Sequence, residues 1–164
     1  MLDYVNWFRH STPYINQHRD CTFVLLLPGE AMIHANFNNI IHDIMLLNSL
    51  GVRLVLVHGS RPQIEERLAL RGIRSQYHND LRVTDIDTLS CVIDAVGSLR
   101  IAIEARLCAH QSGSRLRVVS GNLVTAKPIG VVDGVDFHHT GEVRRIDRKA
   151  ITRHLDEQNI VLLS

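Results

Sequence analysis

Lysine is almost missing from this sequence. Its 164 residues hold only Lys127 and Lys149, against sixteen arginines. Phosphoryl-transfer enzymes ordinarily place a lysine on a defined loop, so the shortage narrows where that chemistry could sit. No Gly-x-x-x-x-Gly-Lys phosphate loop occurs either. An excess of one charge is lacking too. The net charge is +1 with both signs interspersed, which argues against a basic nucleic-acid or membrane-surface binder. No apolar run nears the roughly 18 residues that a bilayer span requires. Asp3, Arg9 and His10 interrupt the N-terminus where a secretory leader would be apolar. Cysteine is scarce: Cys21, Cys91 and Cys108 are odd in number, widely spaced and without a metal or redox pattern. They are expected as reduced thiols in a cytoplasmic protein.

What is present suffices for one domain with a core, hydrophobic residues making up 45% of the chain. Residues 2–19 read as an amphipathic helix that Pro13 kinks or splits. Thr22 to Leu27 is apolar throughout and reads as a parallel strand buried on both faces, ending at Pro28-Gly29. Ile40, Ile41, Ile44 and Leu47 follow at helical spacing, with Gly51 as the stop. Val52 to Val57 is a second buried strand ending at His58-Gly59-Ser60. Pro62 opens a helix that Gly72 closes. Residues 72–82 read as polar and irregular. A long helix is expected from Thr84, with Asp87 in capping-box position and Leu89, Val92, Ile93 and Val96 as its buried stripe. Residues 117–120 read as a strand. Gly130, Gly134 and Gly141 punctuate short alternating segments that suggest hairpins. Asp147 caps a further helix, with Ile146 and Ile151 at the spacing of a hydrophobic staple. Residues 160–164 form a last strand with no covering helix after it, so the chain is expected to be the front portion of a longer protein.

Strands that alternate with helices place ligands beyond the carboxyl ends of the strands. The turn Gly59-Ser60-Arg61-Pro62-Gln63 is the leading candidate. Gly59 permits close backbone approach, the helix start favours negative charge, and Arg61 offers a bidentate donor to a carboxylate. A plain strand-to-helix turn with Arg61 in solvent is the competing reading. Arg82, just before the long helix, could place a second guanidinium over the same cleft. Its alternative is a surface ion pair with Asp80 or Asp85. Ser120, Gly121 and Asn122 end another strand and offer hydroxyl, backbone and amide groups, or merely a turn. His138 and His139 face opposite ways on a strand, and neither they nor His34 and His42 have a supporting carboxylate pattern, so no metal is assigned.

These turns together resemble the amino-acid kinase fold, and more closely the N-terminal part of bacterial N-acetylglutamate synthases. The segments that carry the resemblance are Phe8-Arg9 with Pro13-Tyr14-Ile15, Phe23 to Ala31, and Leu54 to Ile64. Further on come Leu81 to Asp85, Val118 to Asn122, and Gly141 to Asp147. The run Arg61-Pro62-Gln63 and the run Arg144-Arg145-Ile146-Asp147 are specific to the synthases. The resemblance implies an α/β, carbamate-kinase-like three-layer sandwich with a mainly parallel central sheet, incomplete at the C-terminus. It implies an oligomerisation helix over residues 1–20 and a kinase-like domain over 21–164, with the acetyltransferase domain absent.

In the related kinases the first loop carries Lys-x-Gly-Gly. Here the lysine position falls on Leu26 and the first glycine on Pro28, before Gly29. Leucine has no charge, proline has no N–H, and Glu30 adds a negative charge where phosphates would sit. Loss of such a cation costs orders of magnitude in rate. The family implies a parent enzyme that acetylates glutamate from acetyl-CoA, opening arginine biosynthesis under arginine feedback. For this chain it implies no catalytic residue and no cofactor of its own. The expected partners are a small amino acid or N-acyl amino acid and further copies of the chain through the N-terminal helix, not nucleic acid or membrane. A kinase acting on N-acetylglutamate and a standalone small-molecule-binding module are the alternatives.

Overall fold

The computed structural model describes residues 2–109 and 116–164. Helix α1 (Leu2–His18) runs unbroken through Pro13, where a kink or split was expected. Pro13 cannot donate to the carbonyl one turn back, but its neighbours supply hydroxyl donors. Ser11 bonds the Trp7 carbonyl and Thr12 the Phe8 carbonyl, and the exposed helix leaves the remaining carbonyl to water.

Strand β1 (Thr22–Leu27) leads through a short 3₁₀ turn to α2 (Phe37–Ser49) and then to β2 (Arg53–His58). The strands are parallel, with Thr22 opposite Arg53 and Leu27 opposite His58. Gly51 ends α2 at φ +89, the left-handed stop its position suggested. Helix α3 (Arg61–Leu70) follows, then β3 (Gln76–His78), β4 (Leu81–Val83) and α4 (Ile86–Ala109). Beyond it come β5 (Val118–Val119), β6 (Val124–Pro128), β7 (Val131–Val132), β8 (Val135–Asp136), β9 (Gly141–Ile146), α5 (Arg148–Asp156) and β10 (Ile160–Leu163). The central sheet is all-parallel in the order β1-β2-β10-β5. β6 pairs with β9 and β7 with β8, both antiparallel, which are the hairpins the glycine spacing suggested.

Alternation along the strands divides the core into layers. Leu54, Leu56, Ile160 and Leu162 face α2 and α4, packing with Phe37, Ile41, Ile44, Ile103 and Leu107. Val55 and Val161 face the other way, onto Leu123 and the α5 residue Leu155. α3 packs on α4 through Ile64, Leu68, Cys91 and Ala95.

Other expectations change too. β1 is not buried on both faces: Val24 is 66% and Leu26 71% exposed. It lies at the sheet edge, and the cluster under α5 is built on β2 and β10 and does not reach it. Residues 76–83 are a hairpin rather than irregular chain, turning on Asn79 (φ 49) and Asp80 (φ 61). Two successive left-handed residues are the two-residue turn that matches strand twist. α4 starts after Asp85, not Thr84, because the Asp85 carboxylate accepts from the Thr88 amide at 2.8 Å. Its buried stripe is Thr88, Cys91, Ala95, Ile103 and Leu107, while Ile93 is 61% exposed. Asp147 does cap α5, accepting from the Ala150 amide at 3.0 Å. Ile151 packs from that helix onto the cluster of Val55, Leu123, Leu155 and Val161, whereas Ile146 is half exposed and lies outside it, so the two do not form the expected staple.

Candidate functional site

The ends of β1 and β2 lie side by side, and their two loops pack on each other. The Gly59 amide donates to the Leu27 carbonyl at 2.8 Å. A methyl group on Gly59 would lie 3.3 Å from the Gly29 nitrogen. One on Gly29 would lie 2.7 Å from Pro62 Cδ and 2.8 Å from Gln63 Oε1. The first loop therefore sits directly against the first turn of α3. Gln63 is buried and fixes this contact by donating to the Gly29 carbonyl at 2.8 Å. Its own Oε1 has no hydrogen-bond partner among the described residues. Ser60, at the N-cap, makes no side-chain capping bond.

The phosphate-loop positions carry little that could hold phosphate. Leu26 projects from the open face of β1. Pro28 contributes only a carbonyl, which accepts from Ala31 at 2.9 Å. Lys127 is spent on Glu142 at 2.8 Å, on the β6–β9 arm.

The β3–β4 hairpin brings Arg61 and Arg82 together around Tyr77. Their guanidinium carbons lie 5.1 and 4.9 Å from the ring centroid, within cation–π range. The resemblance ends there. Arg61 is exposed, and its one side-chain hydrogen bond among the described residues, to the Asp80 carbonyl, is long at 3.5 Å. The Arg82 side chain is only 12% exposed and pairs with Glu65 at 2.8 Å, not with Asp80 or Asp85. Arg82 also donates to Ser75. Ser75 and Tyr77 in turn donate to the Glu65 carboxylate, Tyr77 at 2.7 Å. Burial works against the charge on Glu65, but the bonds from Ser75, Tyr77 and Arg82 outweigh it and hold its carboxyl below the usual range. Burial and the bond to Glu65 push the Tyr77 phenol up.

Ser120, Gly121 and Asn122 lie apart from this group, beyond β5, with β10 between β5 and β2. At about 4.8 Å per strand that is a separation of roughly 10 Å. Ser120 donates to Glu104 at 2.7 Å, and Ser120 and Gly121 share a cleft with Arg100, Val124 and Leu162. Between the two groups His58 is buried, its ring turned towards the protein interior beside the Gly59 backbone. Burial pushes its pKa below 6.5, with the Gly59 backbone working against the shift and the charge on Arg100 adding to it.

Glu65, Ser75 and Tyr77 escaped the reading of the sequence. Two three-residue strands give no periodic signal, and the Asn79-Asp80 turn was their only trace. Among the described residues, no three His, Cys, Asp or Glu side chains gather as a metal site, and no helix is long and apolar enough to cross a membrane.

Comparison with known proteins agrees with this architecture. An amino-acid acetyltransferase of Pseudomonas paraeruginosa is 71% identical across all of this chain, which covers 39% of that protein's length. The crystal structure of N-acetylglutamate synthase from Neisseria gonorrhoeae, complexed with coenzyme A and L-arginine, matches 98% of this chain and 39% of its own. The TM-score is 0.87 and the identity 39%. Giardia carbamate kinase shares the fold, with a TM-score of 0.55 at 17% identity over 88% of this chain and 57% of its own. The amino acid kinase family matches residues 22–164, and the chain belongs to that family.

Proposed function

We propose that this chain is the kinase-like regulatory portion of an N-acetylglutamate synthase, and that it binds a small amino acid or N-acyl amino acid without transferring phosphate. The parent protein would move the acetyl group of acetyl-CoA to glutamate, as the first step of arginine biosynthesis, in the cytoplasm and under arginine feedback. The observation that carries the reading is the loop after β1. A family built to bind nucleotide phosphates here presents Leu26, Pro28 and Glu30, with neither cation nor extra donor. The relatives named for acetyl transfer, and the synthase complexed with coenzyme A and L-arginine, support the same reading. The ligand site is placed at Gly59, Ser60, Arg61 and Gln63, with Arg82 beside it. Ser120, Gly121 and Asn122 form a separate edge. Residues 1–20 are assigned to contacts between copies and 21–164 to the binding domain.

The test is an assay of the isolated chain in two parts. Incubation with ATP and N-acetylglutamate is expected to give no acyl phosphate, and calorimetry is expected to detect arginine, glutamate or N-acetylglutamate. ATP-dependent phosphorylation would overturn the assignment in favour of a kinase. Silence towards all three ligands would remove the binding site.

A further inference from the structure

We propose that Glu65 is a built-in carboxylate that masks Arg82, leaving Arg61 as the guanidinium that meets a ligand's carboxylate, with Tyr77 as the platform both cations share. Only the identity of the ligand as a carboxylate rests on the function proposed above.

The group around Glu65 has the composition of a carboxylate-binding site. Ser75 Oγ lies 2.9 and 2.7 Å from its two oxygens, the Tyr77 hydroxyl donates at 2.7 Å, and Arg82 Nη2 lies at 2.8 Å. One cation and two hydroxyls converging on a carboxylate is how a protein recognises that group in a ligand. Here the occupant comes from α3 of the same chain. A tethered group has an effective concentration in the millimolar range, so a free carboxylate below that concentration competes poorly for Arg82. Arg82 has also spent its second terminal nitrogen on Ser75. Arg61 stands differently. It is exposed, lies 5.1 Å from the centroid of the same ring, and commits one long bond to the Asp80 carbonyl. A guanidinium has five N–H donors, so Arg61 retains most of its capacity at the mouth of the loop that Gly29 and Gly59 build. Arg82 is thus a positioning residue, holding Tyr77 and the hairpin where Arg61 can use them.

The experiment follows the arginine Nε–Hε resonances of the chain by NMR during titration with sodium glutarate, against sodium chloride at equal ionic strength. In the wild-type chain the Arg61 signal is expected to move and the Arg82 signal to stay. In Glu65→Gln the Arg82 signal should move as well, with glutarate bound at least tenfold more tightly. Adding Arg82→Gln to that variant should abolish the gain. Movement of Arg82 in the wild type at the same midpoint as Arg61, or unchanged affinity in Glu65→Gln, overturns the proposal. Should Glu65→Gln fail to fold, the wild-type titration alone decides it. If neither signal moves in the wild type but Arg82 responds in the variant, the masking stands and the ligand site proposed above fails. If the variant is silent too, both fail.

Discussion

Gly29 and Gly59 are required by contact rather than by backbone conformation. Gly29 has no room for a side chain against Pro62 and Gln63, and a methyl on Gly59 would press at 3.3 Å on the Gly29 nitrogen. Replacing Gly29 with Ala should destabilise the chain by about 1–3 kcal/mol, the usual cost of forcing atoms into a packed site. Urea denaturation would read it. A loss below that range would mean the loops separate freely. His58 makes a second prediction. Its folded pKa lies below its unfolded value of 6.5, so the unfolded chain takes up the proton first as pH falls. The stability this contributes is present above about pH 6.5 and is lost as pH drops towards the folded value. Melting temperatures between about pH 7 and pH 5 should therefore fall more steeply in the wild type than in His58→Leu. Parallel profiles would show that His58 is not the group responsible. Gly59 and Arg61 were legible in the sequence because a glycine turn followed by an arginine is a local pattern. Glu65 was not, because its significance comes from Ser75, Tyr77 and Arg82, ten to seventeen positions away.

The elements recovered from sequence are those with strong local signals. β1 and β2 are continuous apolar runs, α2 and α3 end on Gly51 and Gly72 at positive φ, and Asp147 caps α5 as a short polar acceptor should. The misses fall where local signals are weak or misleading. β3 and β4 have three residues each. α4 is apolar over more of its circumference than it buries, so periodicity alone chose Ile93 over Cys91 and Ala95. The corrected stripe can be tested by substitution. Ile103→Ala removes a fully buried side chain and should cost about 2–5 kcal/mol, whereas Ile93→Ala should stay within about 0.5 kcal/mol. Similar losses at the two positions would restore the stripe read from periodicity.

At the scale of the whole molecule, α1 is a long helix with no fully buried side chain among its described residues. Tyr4, Trp7, Phe8 and Tyr14 are each more than half exposed along it. If this helix joins copies of the chain, removing residues 2–18 should lower the solution mass seen by sedimentation while leaving the unfolding transition of the α/β core in place. An unchanged mass would detach α1 from any role in assembly. The sequence by itself determined the alternation of strands and helices as far as α3 and the parallel character of β1 and β2, and its resemblance to the kinases set Leu26 where they carry a lysine. Each strand and helix follows from residues close in sequence, and the parallel pairing follows from a helix standing between two apolar strands. Tertiary structure alone decided that β1 is an edge with one open face, that Gly29 fills the space beside α3, and that Glu65 rather than a ligand holds Arg82. Those are contacts between segments distant in sequence. They depend on where β10 inserts and how the hairpin folds back, which no local pattern of residues encodes.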